Sequence, residues 1–320
     1  EAVLHALQAV RHCQRCNTFS EAEVCERCLS PRRHDRFADG SVPPGATSRA
    51  SAAEVRAGLE SFVARAGIEV RLGAEVKHAQ RDGELFLLDT SDGPVRASRL
   101  VVASGEYERP FTPALPGRFA GPAVHARRFH AAEVASGERV LVVGAGNSGA
   151  EIAARLLARG ARVIVATRTP LPSPPRVSPD GVLGELAYRL SAIPVRLLPR
   201  AGGCREATPL VDPALHAAVR AGEIELAGEV VSLDERGAIT RGGRQLAADR
   251  LVWATGYLRD TAWLDGLVTL DGRGRPRERE GVSVEQRGLG FVGLPCQRTR
   301  RSGFLRGFVD DAVRVVGRLS

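Results

Sequence analysis

The stretch that decides the fold is Arg139-Val-Leu-Val-Val-Gly144-Ala-Gly-Asn-Ser-Gly149, near the middle of a chain of 320 residues. Its first five residues predict a buried strand, because four apolar side chains follow one another and are bounded by glycine. Residues 147 to 159 then carry apolar side chains at helical spacing, and Gly160 ends the helix. Since a second apolar strand follows at 161–166, the pattern predicts a βαβ unit.

The three glycines of this stretch have the spacing G-x-G-x-x-G between a strand and a helix. Gly144 permits a tight turn, Gly146 lets the backbone approach a pyrophosphate, and Gly149 lets the helix pack closely on the strand. The helix N-terminus adds free N–H groups and partial positive charge. We therefore predict a dinucleotide site, the alternative being a tight turn without a ligand. Its residues are Gly144, Ala145, Gly146, Asn147, Ser148 and Gly149.

The second strand of the unit ends in Thr167-Arg168. A site for NAD usually has an acidic residue here, which binds the ribose hydroxyls. Arginine instead suits the 2′-phosphate of NADP, because its guanidinium can bind phosphate through two hydrogen bonds. We predict NADP rather than NAD, the alternative being that Arg168 is an ordinary surface arginine.

Four cysteines lie close together near the start of the chain and form two C-x-x-C pairs: Cys13, Cys16, Cys25 and Cys28. Two such pairs can offer four thiolates to one tetrahedral zinc ion, which makes a closed, structural site. A redox pair or two disulfides are the alternatives. The run from His12 to Arg33 resembles the zinc finger of the bacterial recombination mediator RecR, and this resemblance implies a zinc module without the DNA clamp domains of that family.

Four further segments converge on a second family. Residues 119–130, Phe-Ala-Gly-Pro-Ala-Val-His-Ala-Arg-Arg-Phe-His, resemble the FxGxxxHxxxY fingerprint of flavin-containing and N-hydroxylating monooxygenases, with Phe129 in place of Tyr. Residues 102–110 and 251–257 look like the two crossovers of flavoproteins with two dinucleotide domains. Residues 290–303 resemble the terminal segment of bacterial enzymes of this type, which lies near the flavin ring.

This resemblance implies an α/β fold of two nested Rossmann-like domains and implies FAD beside NADP, with contacts from the crossovers at Ser104, Gly105, Thr255 and Gly256. We predict four parts: a zinc finger at 1–34, a first FAD-domain part at 35–118, an NADPH domain at 119–245 and a C-terminal FAD-domain part at 246–320. The family's first glycine motif, which binds the FAD pyrophosphate, has no strand–turn–helix counterpart before residue 118. We therefore expect an incomplete FAD domain.

Smaller patterns fill in the first FAD-domain part. Ser51-Ala-Ala-Glu54 is a capping box that predicts a helix ending at Gly67. Residues 68–72 predict a short strand, and residues 74–90 predict a hairpin that turns at Arg81-Asp-Gly83.

The composition is that of a globular protein, with 43% hydrophobic and 26% charged residues, which excludes disorder, collagen and coiled coil. The net charge of +8 comes from arginines spread along the chain and is weak support for nucleic-acid binding. No apolar run reaches the length of a membrane span and no signal peptide opens the chain. We expect no membrane partner and a cytoplasmic location.

The leading hypothesis is an NADPH- and FAD-dependent oxidoreductase. The resemblance implies a monooxygenase that oxygenates a small amine or thioether through a flavin C4a-hydroperoxide. A RecR-like, zinc-dependent DNA-binding or recombination-repair protein is one alternative. An inactive fusion product is another, since the expected FAD motif is replaced by the zinc finger. No catalytic side chain is assigned, and neither the substrate nor the oligomeric state follows from the sequence.

Overall fold

The computed structural model of the chain describes residues 37–39, 41–45, 50, 52–107, 109–171, 181–197, 213–272 and 274–319. The four cysteines predicted to bind zinc, and the predicted finger at 1–34, lie outside these residues. The described helices are α1 (Ala52–Ala66), α2 (Asn147–Ala158), α3 (Val182–Leu190), α4 (Pro213–Arg220) and α5 (Leu305–Leu319).

The described strands are short and fall into five sheets. In chain order they are β1 (Val76–Asp82), β2 (Leu85–Thr90), β3 (Val95–Ala97), β4 (Leu100–Val102), β5 (Arg109–Pro110), β6 (Ala123–His125), β7 (Arg139–Val143), β8 (Arg162–Ala166), β9 (Ile224–Ala227), β10 (Val230–Asp234), β11 (Gly237–Thr240), β12 (Gln245–Ala247), β13 (Arg250–Trp253), β14 (Tyr257–Leu258), β15 (Glu278–Arg279), β16 (Val282–Ser283) and β17 (Leu289–Phe291).

The largest sheet has the order β6-β13-β7-β8-β9, and all its strands run parallel. One face packs against α2 and α4 through a core that includes Ile152, Leu156 and Leu215. The other face packs against the antiparallel sheet β10–β12, where Leu246 is fully buried. A parallel sheet covered on both faces explains the uninterrupted apolar runs of β7 and β8.

A second parallel pair joins β4 to β17. One face of this pair packs against the antiparallel sheet β1–β3 through Phe86 and Leu88. Val315 and Leu319 of α5 cover the other face. Within the described residues β4 has a strand neighbour on one side only, while β13 of the larger sheet has β6 and β7 on its two sides.

The predicted elements of the βαβ unit are confirmed, with β7, α2 and β8 in the expected order. The helix α1 also ends where its sequence indicates, since Gly67 has φ +61° and its N–H donates to the Ala64 carbonyl at 3.3 Å. The strand predicted at 68–72 is wrong. Leu72 is 70% exposed and Gly73 turns the chain with φ +81°, so this segment joins none of the described sheets.

One strand of the largest sheet lies beyond the domain boundary predicted at residue 245. β13 follows that boundary, yet it pairs with β7 from Arg250 opposite Val140 to Trp253 opposite Val143. The strand therefore belongs to the same sheet as the glycine stretch. Its apolar residues could not reveal this, because the sheet that a buried strand joins depends on tertiary contacts.

Candidate nucleotide-binding site

Two glycines of the stretch are required by the packing of the turn. Gly144 has φ +114°, and a Cβ there would collide with the Ala254 carbonyl that follows β13. A Cβ at Gly149 would overlap the Gly144 carbonyl oxygen. Backbone bonds fix the same turn, since Gly144 N–H donates to the Ala166 carbonyl at 2.8 Å and Ala254 N–H donates to the Val143 carbonyl at 2.8 Å. The turn is thus held against both neighbouring strands.

Gly146 differs from the other two, because a Cβ there would meet no atom within 4 Å. It is the N-cap residue of α2 and provides no side-chain cap. The first N–H groups of α2 therefore face a space that a phosphate can enter.

Two polar side chains follow Gly146 at the start of α2. The Ser148 hydroxyl and the Asn147 carboxamide oxygen are buried and have no hydrogen-bond partner among the described residues. Ser148 is only 5% exposed. Since buried polar atoms normally have partners, these two fit a bound polar group such as a dinucleotide pyrophosphate.

The end of β8 provides the predicted basic group. Thr167 is fixed by a hydrogen bond from its N–H to the Ala227 carbonyl at 3.1 Å and by one from its hydroxyl to the Thr169 carbonyl at 2.8 Å. Arg168 is exposed, and its side chain forms no hydrogen bond or ion pair with the described residues. Its guanidinium is available to a ligand at the edge of the sheet where the glycine turn lies.

The two crossovers meet each other. Gly105 and Gly256 both have left-handed backbones, with φ +75° and +84°. The strands that follow them, β5 and β14, pair antiparallel. The Thr255 hydroxyl donates to the Phe111 carbonyl, and Phe111 N–H donates to the Gly256 carbonyl at 2.9 Å. Of the predicted FAD contacts, Thr255 and Gly256 thus lie in this junction, while Ser104 and Gly105 lie at the carboxyl end of β4.

His125, in the fingerprint segment 119–130, forms a hydrogen bond to the second crossover. Its Nδ1 accepts a hydrogen bond from Arg127 N–H at 3.1 Å, which places the proton on Nε2, 3.0 Å from the Gly256 carbonyl. Its ring packs edge-on against Tyr257, with ring centres 5.0 Å apart. Burial lowers the pKa of His125. This histidine is therefore a neutral structural link.

Two tyrosines of this junction were missed at the level of sequence. Tyr107 and Tyr257 pack edge-on with ring centres 5.6 Å apart, and burial raises the pKa of Tyr257. Arg259 and Glu106 form an ion pair beside them. The only signal was the position of each tyrosine directly after a crossover.

A second G-x-G-x-x-G, from Gly288 to Gly293, has another role. It includes β17 (Leu289–Phe291), and a Cβ at Gly290 would lie 2.5 Å from a methyl group of Val315 in α5. The glycine at 290 is thus needed for helix packing. Cys296 has φ +58° and is disulfide-bonded, so it offers no free thiol.

Comparison with known proteins tests the predicted family. Residues 35–181 match the family model described as pyridine nucleotide-disulphide oxidoreductase. The indole-3-pyruvate monooxygenase YUCCA8 of Oryza sativa is 31% identical over 301 residues, a match that covers 80% of this chain and 70% of the relative. The chain belongs to the flavin-containing-monooxygenase-like family of FAD- and NAD(P)H-dependent oxidoreductases. The uncharacterized oxidoreductase CzcO of Bacillus velezensis is 29% identical over 276 residues, covering 83% of this chain and 78% of that protein.

Solved structures agree on the fold of this monooxygenase-like chain. A flavin-containing monooxygenase from Stenotrophomonas maltophilia superposes with a TM-score of 0.72 at 20% identity, over 91% of this chain and 83% of that one. An open form of cyclohexanone monooxygenase superposes with a TM-score of 0.62 at 18% identity, over 91% of this chain and 78% of that one. The prediction of an α/β fold like that of flavin monooxygenases is confirmed.

The N-terminal resemblance is also confirmed at the level of family. Residues 10–30 match the family model described as the four-cysteine zinc finger domain of RecR. Among the residues that the structure describes, no cluster of three or more histidine, cysteine or acidic side chains could hold a metal ion. No described helix has the length and apolar character that crossing a membrane requires.

Proposed function

We propose that this chain binds NADPH at the glycine turn and uses it in a flavin-dependent monooxygenase reaction. The observation that carries the proposal is the open space at Gly146, at the start of a helix whose buried Ser148 hydroxyl has no partner among the described residues, together with the exposed Arg168 at the end of β8. The turn and the α2 N-terminus would hold the pyrophosphate. Arg168 would bind the 2′-phosphate, which distinguishes NADPH from NADH.

The described residues fit NADP more completely than they fit FAD. Ser104 and Gly105 follow β4, as Thr255 and Gly256 follow β13, and these pairs would border the flavin at the joined crossovers. The described residues contain no second strand, glycine turn and helix beside β4. FAD, when bound, would supply the electron transfer and oxygen activation, and we assign to this chain's residues only the binding and orientation of the two coenzymes.

The substrate that we propose is a small, soft nucleophile, an amine or a thioether. Such a substrate suits the electrophilic oxygen-transfer chemistry that flavin supplies in this family. His125 would take no part in proton transfer to it, because both its ring nitrogens are engaged with backbone groups. Its role would be to hold Gly256 and the second crossover in place.

The test is flavin reduction by the purified full-length chain supplied with FAD. We expect the chain to retain flavin after desalting, NADPH to bleach the flavin spectrum without oxygen, and a thioether to be converted to its sulfoxide in air. Arg168→Gln should slow reduction by NADPH and leave reduction by NADH unchanged. Arg162→Gln, at the opposite end of β8, is the matched control. Retained flavin that NADPH does not reduce would contradict the proposal.

A zinc module is a second proposal, supported by the family-model match at residues 10–30. Cys13, Cys16, Cys25 and Cys28 would bind one Zn²⁺ as a structural site without an open position. Purified protein should contain about one zinc per chain, and Cys25→Ser should remove it. Zinc content that is absent, or unchanged in this variant, would contradict the assignment. Salt-sensitive DNA binding lost on chelation would support the recombination-protein alternative.

A further inference from the structure

An acidic side chain lies beside the basic residue of the proposed coenzyme site. β8 and β9 are parallel neighbours, and Thr167 N–H donates to the Ala227 carbonyl at the end of β9. Arg168 and Glu229 each lie two residues beyond the last paired position of their strands. The two side chains are close enough to interact, since the positive charge of Arg168 contributes to lowering the pKa of Glu229, after the larger effect of a hydrogen bond from Arg241.

Glu229 is held in this position by two contacts with the residue that follows β11. The Arg241 guanidinium donates to the Glu229 carboxylate with Nε and Oε2 2.6 Å apart, and Arg241 N–H donates to the Glu229 carbonyl at 2.7 Å. The carboxylate is also the less exposed partner, at 28% against 72% for the guanidinium. The loop after β11 thus keeps a negative charge at the edge of the sheet beside Arg168.

The two arginines and Glu229 have opposite effects on a nearby phosphate. A 2′-phosphate near Arg168 is attracted by Arg168 and Arg241 and repelled by Glu229, whereas the uncharged ribose hydroxyl of NAD feels little of either. We propose that Glu229 and Arg241 set how strongly this site prefers NADP over NAD, with Glu229 weakening and Arg241 strengthening the binding of the 2′-phosphate. The inference rests on the proposed function, because it assumes that the 2′-phosphate binds at Arg168.

The opposite role for Glu229 is a specific alternative. A carboxylate beside the adenosine ribose can accept hydrogen bonds from its 2′- and 3′-hydroxyls, as acidic residues do in NAD sites. Glu229 would then strengthen NAD binding, and its removal would weaken it. The bond to Arg241 disfavours this role, since one carboxylate oxygen is already engaged.

The experiment measures dissociation constants of NADP⁺ and NAD⁺ for the full-length chain and four variants. Glu229→Gln should tighten NADP⁺ binding by roughly three-fold and Arg241→Gln should weaken it by about as much, as expected for exposed charges. The double variant should return close to the wild-type value, because it removes one charge of each sign. NAD⁺ binding should be unchanged throughout.

Glu225→Gln is the matched control. Glu225 lies in β9, the strand that leads to Glu229, and also pairs with an arginine, Arg244. It precedes Glu229 by four residues, about 13 Å along an extended chain, which exceeds the screening length of about 8 Å at physiological salt. This variant should change neither constant.

Each other outcome overturns the inference in a recognisable way. If the wild-type chain prefers NADP⁺ but neither Glu229→Gln nor Arg241→Gln moves that preference, the proposed function stands and the inference is wrong. Weakened NAD⁺ binding in Glu229→Gln would assign Glu229 to the ribose hydroxyls instead. A wild-type chain that binds neither nucleotide would overturn the proposed function together with the inference.

Discussion

Each of the two sheets that contain parallel strands has one strand that leads into a crossover, β13 in the larger sheet and β4 in the smaller. The two sheets differ in what lies beside that strand. In the larger sheet, β13 lies between β6 and β7, and β7 leads through the glycine turn into α2. In the smaller sheet, β4 pairs with β17 on one side, and no described strand lies on the other. A strand that leads into a crossover is therefore not enough to bind a phosphate. A phosphate site also requires a neighbouring strand that turns tightly into a helix.

The largest expected effect is a loss of stability of the larger sheet on substitution of Gly149. Gly149→Ala would normally favour a helix, but here the new Cβ overlaps the Gly144 carbonyl oxygen. We expect the free energy of unfolding to fall by about 3 kcal/mol, because backbone and helix must move apart. Chemical denaturation measures this change. Unchanged or increased stability would show that α2 does not pack on the turn as described.

A substitution at Gly146, in the same turn, should change ligand affinity much more than stability. Gly146→Val places a branched side chain in the open space where the pyrophosphate is proposed to bind. NADP⁺ affinity should fall by about ten-fold or more, since backbone hydrogen bonds to the phosphates are lost. Stability should change by only about 1 kcal/mol, the cost of a poorer N-cap residue, because the Gly146 backbone is extended, with φ −74° and ψ −170°, and a Cβ there meets no atom within 4 Å. Equal NADP⁺ affinity in a calorimetric titration would remove the pyrophosphate from this turn.

A substitution at Gly290 tests whether the second G-x-G-x-x-G, in the smaller sheet, serves packing instead of coenzyme binding. Gly290→Ala brings a Cβ to 2.5 Å from a Val315 methyl group and 3.0 Å from one of Leu319. Since side chains can shift more easily than backbone, we expect a loss of about 1–2 kcal/mol in unfolding free energy. NADP⁺ affinity should not change, and a change would mean that this second G-x-G-x-x-G takes part in binding the coenzyme.

The smallest expected effect is at the junction between the two parts. Burial holds the pKa of His125 below its ordinary value of 6.5, so the folded chain binds this proton less readily than the unfolded chain. Its contribution to stability is therefore complete above that value and is lost as the pH falls. From about pH 8 to about pH 5.5, the melting temperature of His125→Asn should fall less than that of the wild type. If the melting temperatures of the wild type and the variant fell equally over this pH range, the imidazole would not be kept neutral in the folded chain.

Much of the larger sheet could be predicted because its signals are local. The glycine spacing, the apolar runs and the stop at Gly160 define β7, α2 and β8 within a short stretch, and Arg168 follows directly from the end of β8. These features depend on neighbouring residues, whose spacing the sequence contains.

The rest could not be predicted because it depends on contacts between distant segments. Glu229 comes near Arg168 only when β9 pairs with β8, and Arg241 reaches Glu229 only when the β10–β12 sheet packs against the larger sheet. β13 joins β7 across more than a hundred residues, as its pairing with Arg250 opposite Val140 illustrates. Residues 68–72 alternate like a strand but have no described strand to pair with, and Leu72 stays exposed.

The most direct test of the central claim is the affinity of the full-length chain for NADP⁺ and NAD⁺, measured beside Arg168→Gln. If the larger sheet holds NADPH through its glycine turn and Arg168, the wild-type chain binds NADP⁺ more tightly, and the variant loses that preference while its NAD⁺ affinity stays the same. Equal affinities of the wild-type chain for the two nucleotides, or a preference that survives in Arg168→Gln, would contradict the account.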